Sequence, residues 1–208
     1  MGRLRWSMIH LAPIARTNGY VPLVFEYKTR QGDINYHAKC LVEFLNQHIK
    51  EHNCMVGFIC HSLGGIILQV ASNLDSWRFN QTRAVLLGTP NQGAKIASVA
   101  SKIPFVPWYF GQPLSELTNW KPINATKLEI GVIAGALSKT KSLNPFLSEP
   151  NDTLVTVNET LLDGIKEHRI IHCPHAVMMY HPRIIKFSFE FLKSGTFTRN
   201  VNDKLTHE

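Results

Sequence analysis

The residues around Ser62 limit the fold of this chain more than any other feature. The apolar run Met55–Cys60 before this serine has the composition of a buried parallel strand. Gly64 and Gly65 follow closely, and the apolar stretch Ile66–Asn73 then has the character of a buried helix. A strand that passes into a helix through so tight a turn needs small residues there, because the two backbones approach closely. The sequence therefore predicts a strand, a turn at Ser62 and a helix.

Strands and helices are predicted to alternate along the rest of the chain. Periodicity favours strands over 21–27, 84–87, 130–134 and 170–171, and helices over 34–52 and 182–192. The run 154–157 either ends a loop or begins a helix. This alternation predicts an α/β protein with a mostly parallel sheet and helices on both faces. The 208 residues are 44% hydrophobic, which predicts one domain over 1–193 and a polar tail over 194–208.

An apolar insertion over 98–125 interrupts this alternation. Three prolines break its larger part, 98–120, so the insertion cannot form one regular helix. One interpretation is an irregular segment that covers the core. The other is a lid or apolar wall over a substrate site, in which case its aromatic residues bind substrate. The aromatic residues in question are Phe105, Trp108 and Phe110.

The Ser62 hydroxyl is the predicted nucleophile. A turn of this kind strains the serine backbone and holds the hydroxyl clear of the sheet. The following helix directs its N-terminal N–H groups at developing negative charge, and the Leu63 amide is the expected donor. Cys60 is a rival nucleophile, but its place in the strand end indicates an inert thiol. His61 is expected to point away from Ser62, as a structural residue or as a substrate-binding wall of the pocket.

A serine nucleophile needs a histidine base, and chain order narrows the choice. Where such a turn carries the nucleophile, the acid and then the histidine follow it in the chain. His175 lies on a loop after the strand at 170–171 and before the last helix, so it is the predicted base. The alternatives are His172 and His181. The histidines that satisfy the order are His168, His172, His175, His181 and His207.

Asp152 is the predicted acid that orients this base. It lies in a polar turn beyond the strand at 130–134. The competing interpretation is an ordinary Asx turn or helix cap, because aspartate is common at both. The weaker alternatives for the acid are Glu149, Glu159 and Asp163, and Asp75 is a rival only if the acid follows an earlier strand.

Charge and cysteine content indicate which binding partners and which cellular compartment to expect. The formal net charge is +7, but no run of five Lys or Arg occurs, so solubility explains the charge better than binding to nucleic acid or to an anionic membrane surface does. Four cysteines lack paired spacing, which argues against a zinc site and favours free thiols in the reducing cytoplasm. No apolar run approaches the roughly 20 residues that a membrane-spanning helix needs.

Four runs resemble the α/β-hydrolase superfamily, specifically its lipase and esterase branch of the triacylglycerol-lipase and GPI-inositol-deacylase-like type. They cover residues 58–68, 85–94, 151–157 and 175–182, and the resemblance extends from about Ser7 to Leu192. It implies the α/β-hydrolase fold and a triad of Ser62, Asp152 and His175 that cleaves an acyl ester through an acyl-enzyme, with no metal or organic cofactor. The implied partner is a small-molecule ester or lipid, with a peripheral membrane contact.

The chain departs from this family at two places. Cys60 stands where the commonest motif has glycine. Members normally open with an apolar strand ending in His-Gly, whose next residues donate an oxyanion-hole amide, whereas this sequence begins like the segment after it. We therefore expect that the N-terminal strand is missing and that Gly2 or Arg3 supplies the amide. The alternatives are a thioesterase or acyltransferase with the same triad, and a non-catalytic binding module.

Overall fold

A parallel sheet of four strands forms the centre of the molecule as far as the structure describes it. The computed structural model describes residues 6–50, 54–74, 79, 82–100, 112–123, 127–138, 146–147 and 149–197. Strands β1 (Gly57–His61), β2 (Thr82–Leu87), β3 (Leu128–Gly135) and β4 (Glu167–Ile171) lie side by side in that order. All neighbours are parallel, so the carboxyl ends of the strands meet at one edge of the sheet.

Helices connect these strands and cover the sheet. The α-helices are α1 (Trp6–Ile9), α2 (Leu11–Thr17), α3 (Ile34–His48), α4 (Leu63–Leu74), α5 (Lys95–Ala100), α6 (Gln112–Thr118) and α7 (Pro182–Ser194). Short 3-10 helices cover Thr29–Gln31, Asn158–Thr160 and His175–Tyr180. Among the described helices, none has the length and apolar character needed to cross a membrane.

Each face of the sheet packs against its own set of helices. Side chains alternate between the two faces along a strand, so Leu86 of β2 joins one core while Val85 and Leu87 join the other. The first core contains buried residues of α3, α4 and α6, and the second contains those of α7. The predicted α/β class, with helices on both faces of a parallel sheet, is confirmed.

Helix α7 is fixed at both ends. Pro182 is its first residue, where a missing N–H costs nothing, and Gly195 ends it with a φ of 77°. The Gly195 N–H donates to the Phe191 carbonyl at 2.8 Å. Arg83 of β2 donates to the carbonyls of Leu192 and Lys193, at 3.1 and 2.6 Å.

The predicted strand over 21–27 is wrong. The segment has no regular secondary structure, and no strand among the described residues pairs with it. Side-chain packing holds it instead: the rings of Tyr20 and Phe189 lie 6.1 Å apart, and those of Phe25 and Phe44 lie 5.4 Å apart. Val21 is 89% exposed. Residues that favour strands thus form no ladder here, because a ladder needs a neighbouring strand.

Two other local predictions needed adjustment. The helix predicted over 34–52 begins at Ile34 but ends at His48, because Ile49 adopts extended dihedral angles. Residues 154–157 belong to a loop, in which Asn151 and Thr156 form an isolated antiparallel bridge. The remaining predicted strands and helices are present, with ends shifted by a few residues.

The described parts of the insertion pack against the core. Of residues 98–125, the structure describes 98–100 and 112–123. Leu117 of α6 is fully buried, and the Glu116 carboxylate accepts a hydrogen bond from the Ile34 N–H at 3.1 Å. The predicted lid role is therefore untested, and its aromatic residues Phe105, Trp108 and Phe110 lie outside the described residues.

The start of the predicted polar tail is packed. Phe197 is 2% exposed, and its ring centroid lies 4.9 Å from that of Phe191. Residues 198–208 lie outside the described part of the chain. The boundary between a domain over 1–193 and a tail over 194–208 stays a prediction.

Candidate active site

Ser62 occupies a strained turn between β1 and α4. Its φ is 55°, a value that residues other than glycine rarely adopt. Two hydrogen bonds hold this conformation: the Ser62 N–H donates to the Leu87 carbonyl at 2.9 Å, and the Thr89 hydroxyl donates to the Ser62 carbonyl at 3.1 Å. The end of β2 thus supports the turn, and Ser62 itself is 4% exposed. The predicted strand, turn and helix are confirmed.

The two glycines after Ser62 differ in how closely other side chains approach them. A side chain at Gly65 would collide with the Thr89 side chain, so this position requires glycine. At Gly64 the nearest neighbour of an added Cβ would be the Tyr27 hydroxyl at 3.9 Å, an ordinary contact. The close approach that the sequence predicted at both glycines occurs at Gly65 alone. Leu63, the predicted oxyanion donor, is the first residue of α4, so its N–H has no intrahelical acceptor.

Asp152 and His175 form a buried pair. The distance from His175 Nδ1 to Asp152 Oδ2 is 2.7 Å, and the His175 N–H donates to the Asp152 carbonyl at 2.6 Å. The other carboxylate oxygen, Oδ1, accepts from the N–H groups of Leu154 and Val155, at 3.0 and 2.8 Å. The Asx turn and the contact with histidine are thus not competing interpretations, because one carboxylate makes both.

Gly88 lies where the serine turn meets this pair. Its neighbours in the chain, Leu87 and Thr89, are the residues that hold Ser62. A Cβ added to Gly88 would lie 2.9 Å from Asp152 Oδ2 and 3.0 Å from His175 Nδ1. Gly88 belongs to the run 85–94, which suggested the family. Its closeness to Asp152 and His175 brings together segments that are far apart in the sequence.

His61 extends the same cluster from the other side. Its Nε2 lies 3.0 Å from the His175 carbonyl oxygen, and the two ring centroids are 4.6 Å apart. In the described residues the Ser62 hydroxyl makes no hydrogen bond to His175. Catalytic hydrogen bonds commonly tighten when substrate binds. Asp152 therefore contacts His175 directly, whereas the contact between His175 and the serine turn is made by His61, the residue before Ser62.

The alternative bases and nucleophile have other surroundings. His172 is exposed, and His181 immediately precedes α7. His168 Nε2 lies 2.8 Å from the Thr160 hydroxyl. Burial raises the pKa of the Cys60 thiol to about 12, so this thiol is protonated at neutral pH.

The alternative acids also have other partners. Glu149 accepts from the Lys95 ammonium at 2.6 Å. Buried Glu159 accepts from the backbone N–H groups of Lys95 and Thr156, and Asp163 is exposed. Over the described ranges, no group of three or more His, Cys, Asp or Glu side chains is arranged to hold a metal ion. The predicted oxyanion donors Gly2 and Arg3 lie outside these ranges.

Replacing Gly88 by alanine tests the close packing at this junction. The positive φ of Gly88, 53°, costs alanine about 1–2 kcal/mol. The collision with Asp152 and His175 adds about 1–3 kcal/mol. Gly164→Ala is the control, because Gly164 also has a positive φ but no neighbour within 4 Å of an added Cβ. We expect chemical denaturation to show a clearly larger loss of unfolding free energy for Gly88→Ala; equal losses would contradict the packing argument.

Comparison with known proteins identifies the fold. No protein-family model and no curated protein matches the sequence. The structure is similar to lipase BlEst2 of Bacillus licheniformis in its mature form, with a TM-score of 0.64 and 20% identity over 92% of this chain and 84% of that one.

Two further solved structures are similar. Phospholipase PlaB of Legionella pneumophila, in complex with thio-NAD, has a TM-score of 0.61 and 13% identity over 94% of this chain and 59% of that one. The metagenomic carboxyl esterase MGS0156 has a TM-score of 0.55 and 15% identity over 81% of this chain and 58% of that one. The parallel sheet, the strained serine turn at its carboxyl edge and these similarities together show that the chain has the α/β-hydrolase fold.

Proposed function

We propose that this protein is a carboxylic ester hydrolase that works through a triad of Ser62, His175 and Asp152. The observation that carries the proposal is the buried 2.7 Å contact between Asp152 and His175, next to a serine with a φ of 55°. The similar structures include a lipase, a phospholipase and a carboxyl esterase, which supports ester cleavage as the reaction class.

Acylation begins with attack of the Ser62 oxygen on the ester carbonyl carbon. His175 Nε2 takes the hydroxyl proton, while Asp152 accepts the hydrogen bond from Nδ1–H and stabilises the imidazolium that forms. The tetrahedral intermediate then collapses: the bond between the carbonyl carbon and the alcohol oxygen breaks, His175 gives its proton to that oxygen, and the acyl group stays on Ser62. In deacylation a water molecule takes the place of the alcohol, and His175 again acts first as base and then as acid.

The developing oxyanion needs N–H donors at the turn. The Leu63 N–H is the first donor in this proposal, because it begins α4 directly after Ser62 and carries the positive end of the helix dipole. Gly2 or Arg3 remains the predicted source of the second. Removal of one such donor typically slows an enzyme by about 100- to 1,000-fold, so the second donor bears strongly on the rate.

Labelling with a fluorophosphonate tests the proposal. This reagent phosphonylates activated serines, and we expect mass spectrometry of the digested protein to place the modification on Ser62. Prior incubation with a p-nitrophenyl ester should slow the labelling, because both compounds compete for the same hydroxyl. Absence of labelling in folded protein, or modification of another residue, would contradict the proposed function and favour a non-catalytic binding module.

Exposed apolar side chains suggest an apolar acyl substrate. Leu154 follows Asp152 by two residues, while Val177 and Tyr180 follow His175 on its 3-10 helix. They are 43%, 43% and 46% exposed, so an acyl chain near the site can cover them. The proposed substrates are accordingly small apolar esters or lipids. A peripheral contact with a lipid surface would form at this same edge.

Substitution of these side chains should alter chain-length preference. We expect Val177→Ser with Tyr180→Ser to lower kcat/KM for p-nitrophenyl octanoate about tenfold and to change p-nitrophenyl acetate little, since each buried methylene contributes about 0.8 kcal/mol. Met55→Ser is the control, because Met55 is 69% exposed but precedes β1 at the opposite edge of the sheet. An equal loss on both esters would contradict the proposed acyl contact.

Hydrolysis and acyl transfer share the acyl-enzyme of this mechanism. Water and an acceptor alcohol compete for the same intermediate, so the triad alone does not choose between them. Product analysis with and without added alcohol separates the two reactions, and a matched oxygen ester and thioester separate esterase from thioesterase activity. We propose water and an oxygen ester as the principal substrates.

A further inference from the structure

Two histidines hold the 3-10 helix His175–Tyr180 from outside. His61 Nε2 lies 3.0 Å from the His175 carbonyl oxygen, and His10 Nε2 lies 2.8 Å from the Met179 carbonyl oxygen. The His10 ring also stacks on Tyr180, with centroids 4.3 Å apart. A carbonyl oxygen can accept but cannot donate a hydrogen bond, so Nε2 of each histidine must carry the hydrogen. The two contacts lie at opposite ends of the short helix.

The His61 contact links the serine turn to the histidine base. His61 is the last residue of β1 and immediately precedes Ser62. Its side chain reaches across to the backbone of His175, 114 positions later in the sequence. The rings of the two histidines also touch, with 4.6 Å between their centroids. A side chain that starts beside the nucleophile thus restrains the base.

Within the described residues, Asp152 makes two further hydrogen bonds to His175. The aspartate carbonyl accepts from the His175 N–H, and Oδ2 accepts from the ring Nδ1–H. Both hydrogen bonds are made with one residue, and neither involves the His175 carbonyl oxygen. The hydrogen bond from His61 acts on the carbonyl and supplies a third, separate point of attachment. Three such points fix both the position and the orientation of the imidazole.

We propose that His61 is a positioning residue for His175, and that its Nε2–H hydrogen bond aligns the imidazole with the Ser62 hydroxyl. The catalytic meaning of this inference rests on the proposed function. The role differs from the substrate-wall role that the sequence suggested, because it acts on the base and not on the ester. A displacement of about 1 Å in a reacting group can cost about 100-fold in rate, so a single positioning bond has a measurable effect.

Three variants separate the hydrogen bond from ring packing. His61→Gln places an amide N–H near the position of Nε2, so it keeps the donor and loses the ring. His61→Phe keeps a ring and loses the donor. His48→Phe is the control, because His48 Nδ1 lies 2.8 Å from the Phe44 carbonyl oxygen on the exposed surface of α3. Circular dichroism and thermal melting establish that each variant is folded.

Kinetics and proton NMR give the decisive readouts. We expect His61→Phe to slow fluorophosphonate labelling of Ser62 by about 10- to 100-fold, with a fall in kcat and little change in KM for p-nitrophenyl butyrate. His61→Gln and His48→Phe should stay close to the unsubstituted protein. The downfield proton of His175 Nδ1–H, assigned by its loss in His175→Gln, should be sharp in His61→Gln and broadened or absent in His61→Phe.

Three results would overturn the inference. They are an unchanged rate and proton signal in His61→Phe, a loss in folded His61→Gln equal to that in His61→Phe, and a change confined to KM. If the unsubstituted protein is not labelled at Ser62, the proposed function fails. The NMR comparison then decides alone whether His61 positions His175, because the downfield proton does not depend on turnover.

Discussion

Replacing Ser62 by alanine is expected to abolish fluorophosphonate labelling and to lower ester hydrolysis by about 10,000- to 1,000,000-fold. Without the hydroxyl no acyl-enzyme can form, and His175 can at best activate water directly. The fold should be retained, because alanine is smaller than serine and the Ser62 hydrogen bonds to Leu87 and Thr89 use backbone atoms of this residue. Initial rates on p-nitrophenyl butyrate, with thermal melting alongside, measure the effect.

Cys60→Ala is the matched control for this prediction. Cys60 lies two residues before Ser62, and burial raises its pKa to about 12. A thiol of this kind is protonated at neutral pH and is a poor nucleophile. We expect the variant to keep its labelling and its rate close to those of the unsubstituted protein. Equal activity of Ser62→Ala and the unsubstituted protein, or labelling that is lost in Cys60→Ala but kept in Ser62→Ala, would exclude Ser62 as the nucleophile.

Local sequence was sufficient for the serine turn and for most of the sheet. The apolar run before Ser62, the following glycines and the apolar helix beyond them are neighbours in the chain, and local backbone preferences act on neighbours. Gly65 illustrates this well: the need for a small residue was predictable, although its partner Thr89 was not. The strands β2, β3 and β4 were recognisable because residues buried on both faces form short continuous apolar runs.

Contacts between segments that are distant in the sequence account for what the sequence analysis did not predict. The segment 21–27 has the composition of a strand, but a ladder depends on the neighbouring backbone, which no local pattern encodes. Chain order favoured Asp152 and His175, whereas their 2.7 Å contact depends on how the ends of β3 and β4 come together. The contacts of Gly88 and His61 with this pair arise in the same way. Tertiary packing therefore determines the parts of the site that the sequence leaves open.

Asp152→Asn should have the second largest effect, a loss of about 10,000-fold in kcat with the fold retained. The surroundings of the carboxylate determine how an amide would be oriented. Oδ1 accepts from the N–H groups of Leu154 and Val155, so the amide oxygen must take that place. The NH₂ group then faces His175 Nδ1 and donates to it. His175 is forced to carry its proton on Nε2, where it can no longer accept the proton of Ser62.

Asp163→Asn is the control for this tautomer argument, because Asp163 is an exposed acid in the same part of the chain and was an alternative candidate. It should leave kcat unchanged. The downfield His175 Nδ1–H signal should disappear in Asp152→Asn and persist in Asp163→Asn, since Nδ1 carries a proton only when its partner accepts. A fall in kcat with the Nδ1–H signal retained would contradict the tautomer mechanism, and an unchanged kcat would remove Asp152 from the triad. Because the N–H groups of Leu154 and Val155 fix the orientation of the side chain at position 152, Asp152→Asn changes where the His175 proton lies and leaves the packing unchanged.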